Sequence, residues 1–394
     1  MDRGAKDLIR NTRALFESND PSLRELLQLE GRRTNDGVNR EITQLIRYLN
    51  SLEHNWDELR FEEPYGNSIV LGSCVWPAFH LVQFGLALLL TGNRALWKPS
   101  ERVTDATVRL HERLIAVDSN WRGLRVQPGD REVGRQLVGS NSFDLILFQG
   151  TYEAGMRIQQ DTLPQPGREV LLYLGAKNPI VFLDQPSEPG LEMALFDGLN
   201  EGGQSCLSAS LIFVEQKYLE LFASRFAERA ALVAVPLLDS GIQDRYLKFI
   251  GIAEKEGADL KLRGRPVRES EGPGRVTPTV SVFQEISPRG FQRSTVLQTE
   301  VFGPHVSIVG YRDQNELKTL LSNHSYGLAC SVHSKEIEAA RNWARDLPFS
   351  QIRMNGSLFE INPWMSGRPF RRSGNHGLMG EGLFRQITRS RVMD

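Results

Sequence analysis

Apolar positions change their spacing along this chain, and the changes mark its elements. Up to residue 60 they recur at helical intervals. Leu23, Leu26, Leu27 and Leu29 share one face, and Ile42, Leu45, Ile46 and Leu49 share another. Asp20-Pro21, just ahead of the first face, is a helix-start signal. The spacing then shortens. Residues 69–71, 95–97 (after the turn Thr91-Gly92-Asn93) and 145–148 (ending at Gly150) read as strands, with a helix over 103–117 between the last two. The alternation returns with strands at 179–182, 210–214, 306–311 and 329–332 and helices at 216–232 and 315–322. Strands alternating with helices predict an α/β fold, a parallel sheet covered on both faces, with ligands at the strand-end loops. The stretch 261–279, charged and broken by Gly and Pro, reads as a surface loop. The run 86–90, flanked by Gly85 and Gly92, is too short to cross a membrane and reads as a buried helix.

Composition narrows the class. With 394 residues and 40% hydrophobic content, the chain has room for two or three full cores. It carries 47 Lys+Arg against 48 Asp+Glu, so no general field draws nucleic acid or an anionic membrane. Three Cys exclude a disulfide scaffold and point to a reducing compartment, the cytoplasm. The first residues, Met-Asp-Arg-Gly-Ala-Lys, carry no secretory pattern. No Cys/His spacing suits zinc, and no carboxylate cluster suits Mg²⁺.

Three segments carry candidate chemistry. In Gly203-Gln204-Ser205-Cys206, small and polar residues surround a cysteine just before a strand, where a thiol can act as a nucleophile; a buried structural Cys is the alternative. In Trp97-Lys98-Pro99-Ser100-Glu101, Lys98 follows a strand, and with Glu101 it can hold the hydroxyls of a nucleotide ribose. A surface Lys before a Pro-initiated helix is the alternative. Phe148-Gln149-Gly150-Thr151-Tyr152-Glu153-Ala154-Gly155 reads as a strand end, a tight glycine turn and a helix start, an arrangement that suits a pyrophosphate. It is not the G-x-G-x-x-G fingerprint.

Taken in order, these segments resemble the aldehyde dehydrogenase superfamily over nearly the whole chain. The other residues that carry the resemblance are Leu174-Gly175-Ala176-Lys177-Asn178-Pro179, Glu300-Val301-Phe302-Gly303-Pro304, Tyr326-Gly327-Leu328-Ala329 and Ser373-Gly374. Ser373-Gly374-Asn375-His376 is also similar to a tail motif of the succinylglutamate-semialdehyde dehydrogenases. The resemblance implies a Rossmann-type NAD(P)-binding domain over 1–173, joined by the tail 365–394, and an α/β catalytic domain over 174–364. It implies Cys206 as the nucleophile that forms a thiohemiacetal and then a thioester. Lys98, Ser100 and Glu101 fall at the adenosine ribose, Gly150 and Thr151 at the pyrophosphate, and Glu300 and Phe302 at the nicotinamide. Asn355 falls on the substrate-side loop. The cofactor is NAD or NADP, with NAD preferred because Glu101 repels a 2′-phosphate.

Two positions depart from the family pattern. The general-base glutamate is expected where Tyr173 stands, and a phenol is a poor base at neutral pH. The asparagine that donates to the oxyanion is expected where Val75 stands, in Ser73-Cys74-Val75-Trp76-Pro77. His80, one turn past Pro77, is a candidate surrogate base, and a core histidine is its alternative. Arg368, Arg371 and Arg372 form a basic tail that can hold a substrate carboxylate or simply face solvent. Three activities are compatible with this set: NAD(P)-linked oxidation of an aldehyde, with acidic semialdehydes among the candidates, to the acid; acyl exchange through Cys206 and a second thiol; or a silent chain that keeps the fold and the nucleotide. The substrate is a small molecule. The family's oligomerisation strands look shortened, because only 49–62 separates a helix ending at Tyr48 from Glu63-Pro64, so a homodimer is expected rather than a tetramer.

Overall fold

The computed structural model describes residues 3–29, 33–165, 167–268, 274–360, 362, 364, 367–377 and 380–390. The chain divides into two units. The first comprises 1–174, 361–368 and 374–394; the second comprises 175–360 and 369–373.

The first unit opens with helices α1 (Arg3–Glu17), α2 (Pro21–Leu29) and α3 (Asn35–Asn55). Asp20 caps α2, its carboxylate accepting from Ser22 N at 2.9 Å. The helix expected to stop at Tyr48 runs to Asn55, because Leu45, Tyr48, Leu49 and Leu52 continue one fully buried stripe. Five parallel strands follow: β1 (Asn67–Leu71), β2 (Arg94–Lys98), β3 (Leu124–Val126), β4 (Leu145–Gly150) and β5 (Glu169–Leu174). Their order is β3-β2-β1-β4-β5. The order reverses direction at β1, and such a switch point opens a crevice at the carboxyl ends of the strands. Helices α4 (Pro77–Leu90), α5 (Thr104–Val117), α6 (Arg131–Gly139) and α7 (Tyr152–Thr162) make the crossovers. Ile69, Leu96 and Ile146 put the core between sheet and helices. β3 and β5 were not anticipated: β3 has three residues, and the apolar run of β5 merges with the glycine motif after it. Near the end of the chain, α8 (Gly380–Gln386) precedes Thr388–Arg389, which pairs antiparallel with Glu63–Pro64.

The second unit is built on a seven-stranded sheet. Its strands are β6 (Asn178–Phe182), β7 (Ala209–Glu215), β8 (Asp259–Leu262), β9 (Thr279–Phe283), β10 (His305–Tyr311), β11 (Ala329–His333) and β12 (Gln351–Met354), in the order β8-β9-β10-β7-β6-β11-β12. Only β8 runs antiparallel. Val181, Leu211, Phe213, Val309 and Val332 lie in its core, and Cys330 is buried with them. The expected loop 261–279 is paired at both ends, by β8 and by Arg275–Val276 against Val235–Pro236, while 269–273 lies outside the described residues. Among the described residues, no helix is long and apolar enough to cross a membrane.

Candidate active site

Cys206 follows a left-handed turn built mostly from glycine. Glu201, Gly202 and Gly203 take left-handed φ values of 54°, 67° and 66° in succession. A Cβ on Gly203 would sit 2.4 Å from the Gly303 carbonyl oxygen, so the turn lies directly against the Glu300–Pro304 motif. Gln204 ties it down from the other side: its Nε2 donates to Pro236 O at 3.0 Å and its Oε1 accepts from Leu238 N at 2.8 Å. Asn178 holds the cysteine itself. Its Nδ2 donates to Cys206 O at 2.7 Å and to Ser208 O at 3.2 Å, and its Oδ1 accepts from Ala329 N at 3.1 Å. One side chain thus locks the loop to two strands.

Cys206 is half-buried, whereas Cys74 and Cys330 are fully buried. Its electrostatics disfavour a thiolate. Burial pushes the thiol up to about 12, and the Glu300 and Glu201 carboxylates add repulsion. Glu300 is fixed: its Oε1 accepts from Ala176 N at 3.2 Å, and its backbone carbonyl accepts from Arg245 at 2.6 Å. A Cβ on Gly175 would lie 2.2 Å from Glu300 Oε2, so this glycine gives the carboxylate its place. Phe302 holds a strained φ of 60°. Lys177 is buried with no hydrogen-bond partner for its ammonium among the described residues, and burial lowers it to about 7.

The other two second-unit candidates are engaged within the fold. The Asn355 amide donates to Ser334 O at 2.8 Å and accepts from Ser334 N at 2.9 Å. The Arg371 guanidinium donates to the carbonyls of Leu321, Ser322 and His324, closing the end of helix Gln314–Ser322. Asp197, which the sequence did not single out, holds the segment after Asn355 by accepting from Ser357 Oγ and from Leu358 N at 2.8 Å.

In the first unit the expected base position is uncharged. Tyr173, on β5, is buried, its phenol pushed well above the ordinary value by burial and donating to Gly377 O at 3.5 Å. It packs on Phe84, which in turn stacks on His80. His80 Nδ1 accepts from Gln149 Nε2 at 3.1 Å, and burial lowers the imidazole to about 4, so it is neutral at pH 7. Val75 supplies an apolar side chain, its backbone N–H donating to Ser73 Oγ at 3.0 Å. The start of α4 is capped from afar: Glu41 accepts from Ala78 N and Phe79 N at 2.8 and 3.0 Å, with Arg33 at 3.3 Å on its other oxygen. An acidic residue on the buried stripe of α3 was the signal for that role.

The nucleotide-type segments are intact in shape. Lys98 ends β2 buried, with its ammonium 3.7 Å from Glu101. Ser100 accepts from Arg102 N at 3.4 Å and so opens the turn that carries Glu101. After Gly150, Thr151 caps α7 by accepting from Ala154 N at 3.3 Å, which leaves the positive end of the helix dipole at the strand end. A Cβ on Gly155 would lie 2.5 Å from Leu174, so the glycine lets α7 sit close to β5. Asn375, in the tail motif, pairs with the free edge of β5, accepting from Leu172 N at 2.7 Å and donating to Val170 O at 3.0 Å. A buried cation, a neighbouring carboxylate and a capped helix start at the carboxyl ends of β2 and β4 fit a ribose and a pyrophosphate.

Comparison with known proteins identifies the family and the fold. Residues 6–393 match the model of the aldehyde dehydrogenase family. Betaine aldehyde dehydrogenase of Bacillus subtilis is 26% identical over 296 residues, covering 72% of this chain and 58% of that protein; the chain thus aligns to little more than half of that relative's length. Among solved structures, a betaine aldehyde dehydrogenase double mutant from Staphylococcus aureus in complex with NAD+ superposes with a TM-score of 0.87 at 23% identity, covering 96% of this chain and 81% of that one. The Mycobacterium tuberculosis aldehyde dehydrogenase complexed with NAD+ gives 0.89 at 18%, covering 98% and 84%. The chain has the aldehyde dehydrogenase fold and belongs to the aldehyde dehydrogenase family.

Proposed function

We propose that this chain oxidises an aldehyde with NAD or NADP, slowly, through Cys206. The observation that carries the reading is the Cys206 loop: three left-handed residues, a glycine no other residue can replace and the Asn178 clamp together present a half-buried thiol beside Glu300. Lys98, Ser100 and Glu101 hold the adenosine ribose, and Gly150 and Thr151 the pyrophosphate. Glu300 and Phe302 orient the nicotinamide end. The bound dinucleotide supplies a hydride acceptor. Cys206 loses its proton, its sulfur adds to the aldehyde carbonyl, and the resulting thiohemiacetal becomes a thioester once it is oxidised. Water then releases the acid.

Slowness has three causes in these residues. The thiol ionises only near 12, so its reactive form is scarce at pH 7. No carboxylate stands at position 173 to activate water, and Tyr173 keeps its proton. His80 is the remaining neutral base; its lowered value makes it a weak one. The backbone N–H of Cys206 is the oxyanion donor that remains when Val75 replaces the amide, a loss worth about 3 kcal/mol. The high thiol value also favours a second reading, a nucleotide-binding chain without turnover. A panel of aldehydes with NAD and NADP, followed by the absorbance of the reduced nicotinamide beside a Cys206→Ala control, separates the two. Turnover that vanishes in the control supports oxidation, and no turnover in the native chain supports the silent reading. We further infer a cytoplasmic homodimer, read from the cysteine count and the shortened oligomerisation segments; light scattering tests the assembly.

A further inference from the structure

We propose that Asp197 is a positioning residue: it holds residues 357–359 against the end of the helix that leads into the Cys206 loop, and so sets how large a carbonyl compound reaches that thiol. The proposal deepens the oxidation reading above and rests on it. Helix Glu188–Leu199 turns Leu191, Ala194, Asp197 and Gly198 inward. Those positions recur at helical spacing, so Asp197 is the charged member of an otherwise apolar stripe. A carboxylate buried there loses its water and needs donors in return. Burial pushes it up to about 6 while its two donors pull the other way, so it is ionised at pH 7. Both donors, Ser357 Oγ and Leu358 N, come from the segment after β12.

That segment is anchored in two halves. The first half belongs to the sheet: the Asn355 amide is bonded to Ser334, and Gly356 O accepts from Ser331 Oγ at 2.7 Å. The second half reaches the helix. Ser357 Oγ, bonded to Asp197, also accepts from Phe359 N at 3.1 Å, and Phe359 packs edge-on against Phe196 with ring centroids 5.8 Å apart. Two adjacent residues of one helix, Phe196 and Asp197, thus carry that half. Just beyond Asp197 the helix ends at Leu199 and the chain enters the left-handed turn before Cys206. One helix end therefore supports both the loop of the thiol and the segment beyond Asn355, the expected substrate side. Removing the carboxylate frees residues 357–359 from that helix and leaves Cys206 clamped by Asn178. A displacement of about 1 Å near a reacting group changes rates by up to about a hundredfold.

Alkylation of the whole chain with iodoacetamide and with its bulkier N-benzyl derivative, followed by peptide mapping, tests the assignment without needing turnover. In the native chain the bulkier reagent should lag at Cys206. Asp197→Ala should narrow that lag about fivefold or more, as expected for the loss of two hydrogen bonds to a charged group. Ser357→Ala removes one of the two donors and should narrow it less. Asp197→Asn keeps the shape: its carbonyl accepts from Leu358 N and its amide donates to Ser357 Oγ, so the native lag should return to within about twofold. Cys330, fully buried in the same unit, should stay unlabelled in all four proteins. No narrowing in either Ala variant overturns the proposal, as does an Asn variant that behaves like Asp197→Ala. Labelling of Cys330 in step with Cys206 overturns it too, because general loosening then accounts for the change. In turnover, Asp197→Ala should shrink the ratio of kcat/KM between acetaldehyde and benzaldehyde by a similar factor at unchanged NAD affinity. A narrowed lag in a chain that oxidises no aldehyde supports the positioning role and overturns the oxidation reading instead.

Discussion

The strand ends of the first unit and the cysteine loop of the second have fared differently. At the ends of β2 and β4, the groups suited to a dinucleotide stand together: buried Lys98 beside Glu101, and α7 capped by Thr151. Around Cys206 the backbone is built with equal care, yet burial puts the thiol near 12, and the Glu300 and Glu201 carboxylates also oppose its ionisation. In the first unit, the position that the resemblance assigns to the base holds a buried phenol in an aromatic cluster with Phe84 and His80. Shape and chemistry are thus separable: strain, glycines and clamps can hold a loop whose surroundings do not activate its thiol.

The largest effect that would sharpen this contrast comes from the nucleophile. Cys206→Ala should remove aldehyde turnover by a thousandfold or more, on the order of the loss of a catalytic nucleophile, while dinucleotide affinity by calorimetry changes little. Equal loss of both would break the separation. The second effect concerns pH. Because the folded thiol lies near 12 against an ordinary value of 9, thiolate grows with every step in pH across the neutral range and does not level off there. Iodoacetamide labelling of Cys206 should therefore accelerate about tenfold per pH unit from neutral pH upward. A plateau at neutral pH would mean an activating partner. Peptide mapping should find Cys206 labelled before the fully buried Cys74 and Cys330.

Smaller effects test the scaffold. Gly203→Ala places a Cβ against the Gly303 carbonyl at a left-handed φ, and should cost about 2–4 kcal/mol, read as a lowered urea midpoint. Asn178→Ala removes two donors and one acceptor and should cost about 2–3 kcal/mol. Thr151→Ala loses only a cap, about 1 kcal/mol of stability, with dinucleotide binding weakened severalfold.

The sequence disclosed the alternation of strands and helices because apolar runs and helical stripes are local signals. Strands that appeared directly, such as Leu145–Gly150 and His305–Tyr311, are buried and bounded by polar turns. Leu124–Val126 has three residues, too few for a period to show, and Asp259–Leu262 is an edge strand without a continuous apolar run. In the candidate site, motifs located Cys206, Lys98, Thr151 and Glu300, because each sits in a short run of small or charged residues. Roles that depend on distant partners were hidden. Glu41 caps a helix 37 positions away, and Asn178 reaches Ala329 across 151. The raised Cys206 thiol was hidden too, since it follows from burial and from Glu300, neither of which a Gly-Gln-Ser-Cys string displays.

The contrast between the two regions is tested most directly by comparing steady-state aldehyde oxidation in the native chain and in a Val75→Asn/Tyr173→Glu variant, with dinucleotide affinity measured on both. The account predicts native turnover well below about 1 per second. It predicts a rise of about tenfold or more when the donor and the base are restored, at unchanged dinucleotide affinity. Native turnover of about 1–10 per second, or a variant that binds dinucleotide and folds but turns over no faster, would contradict it.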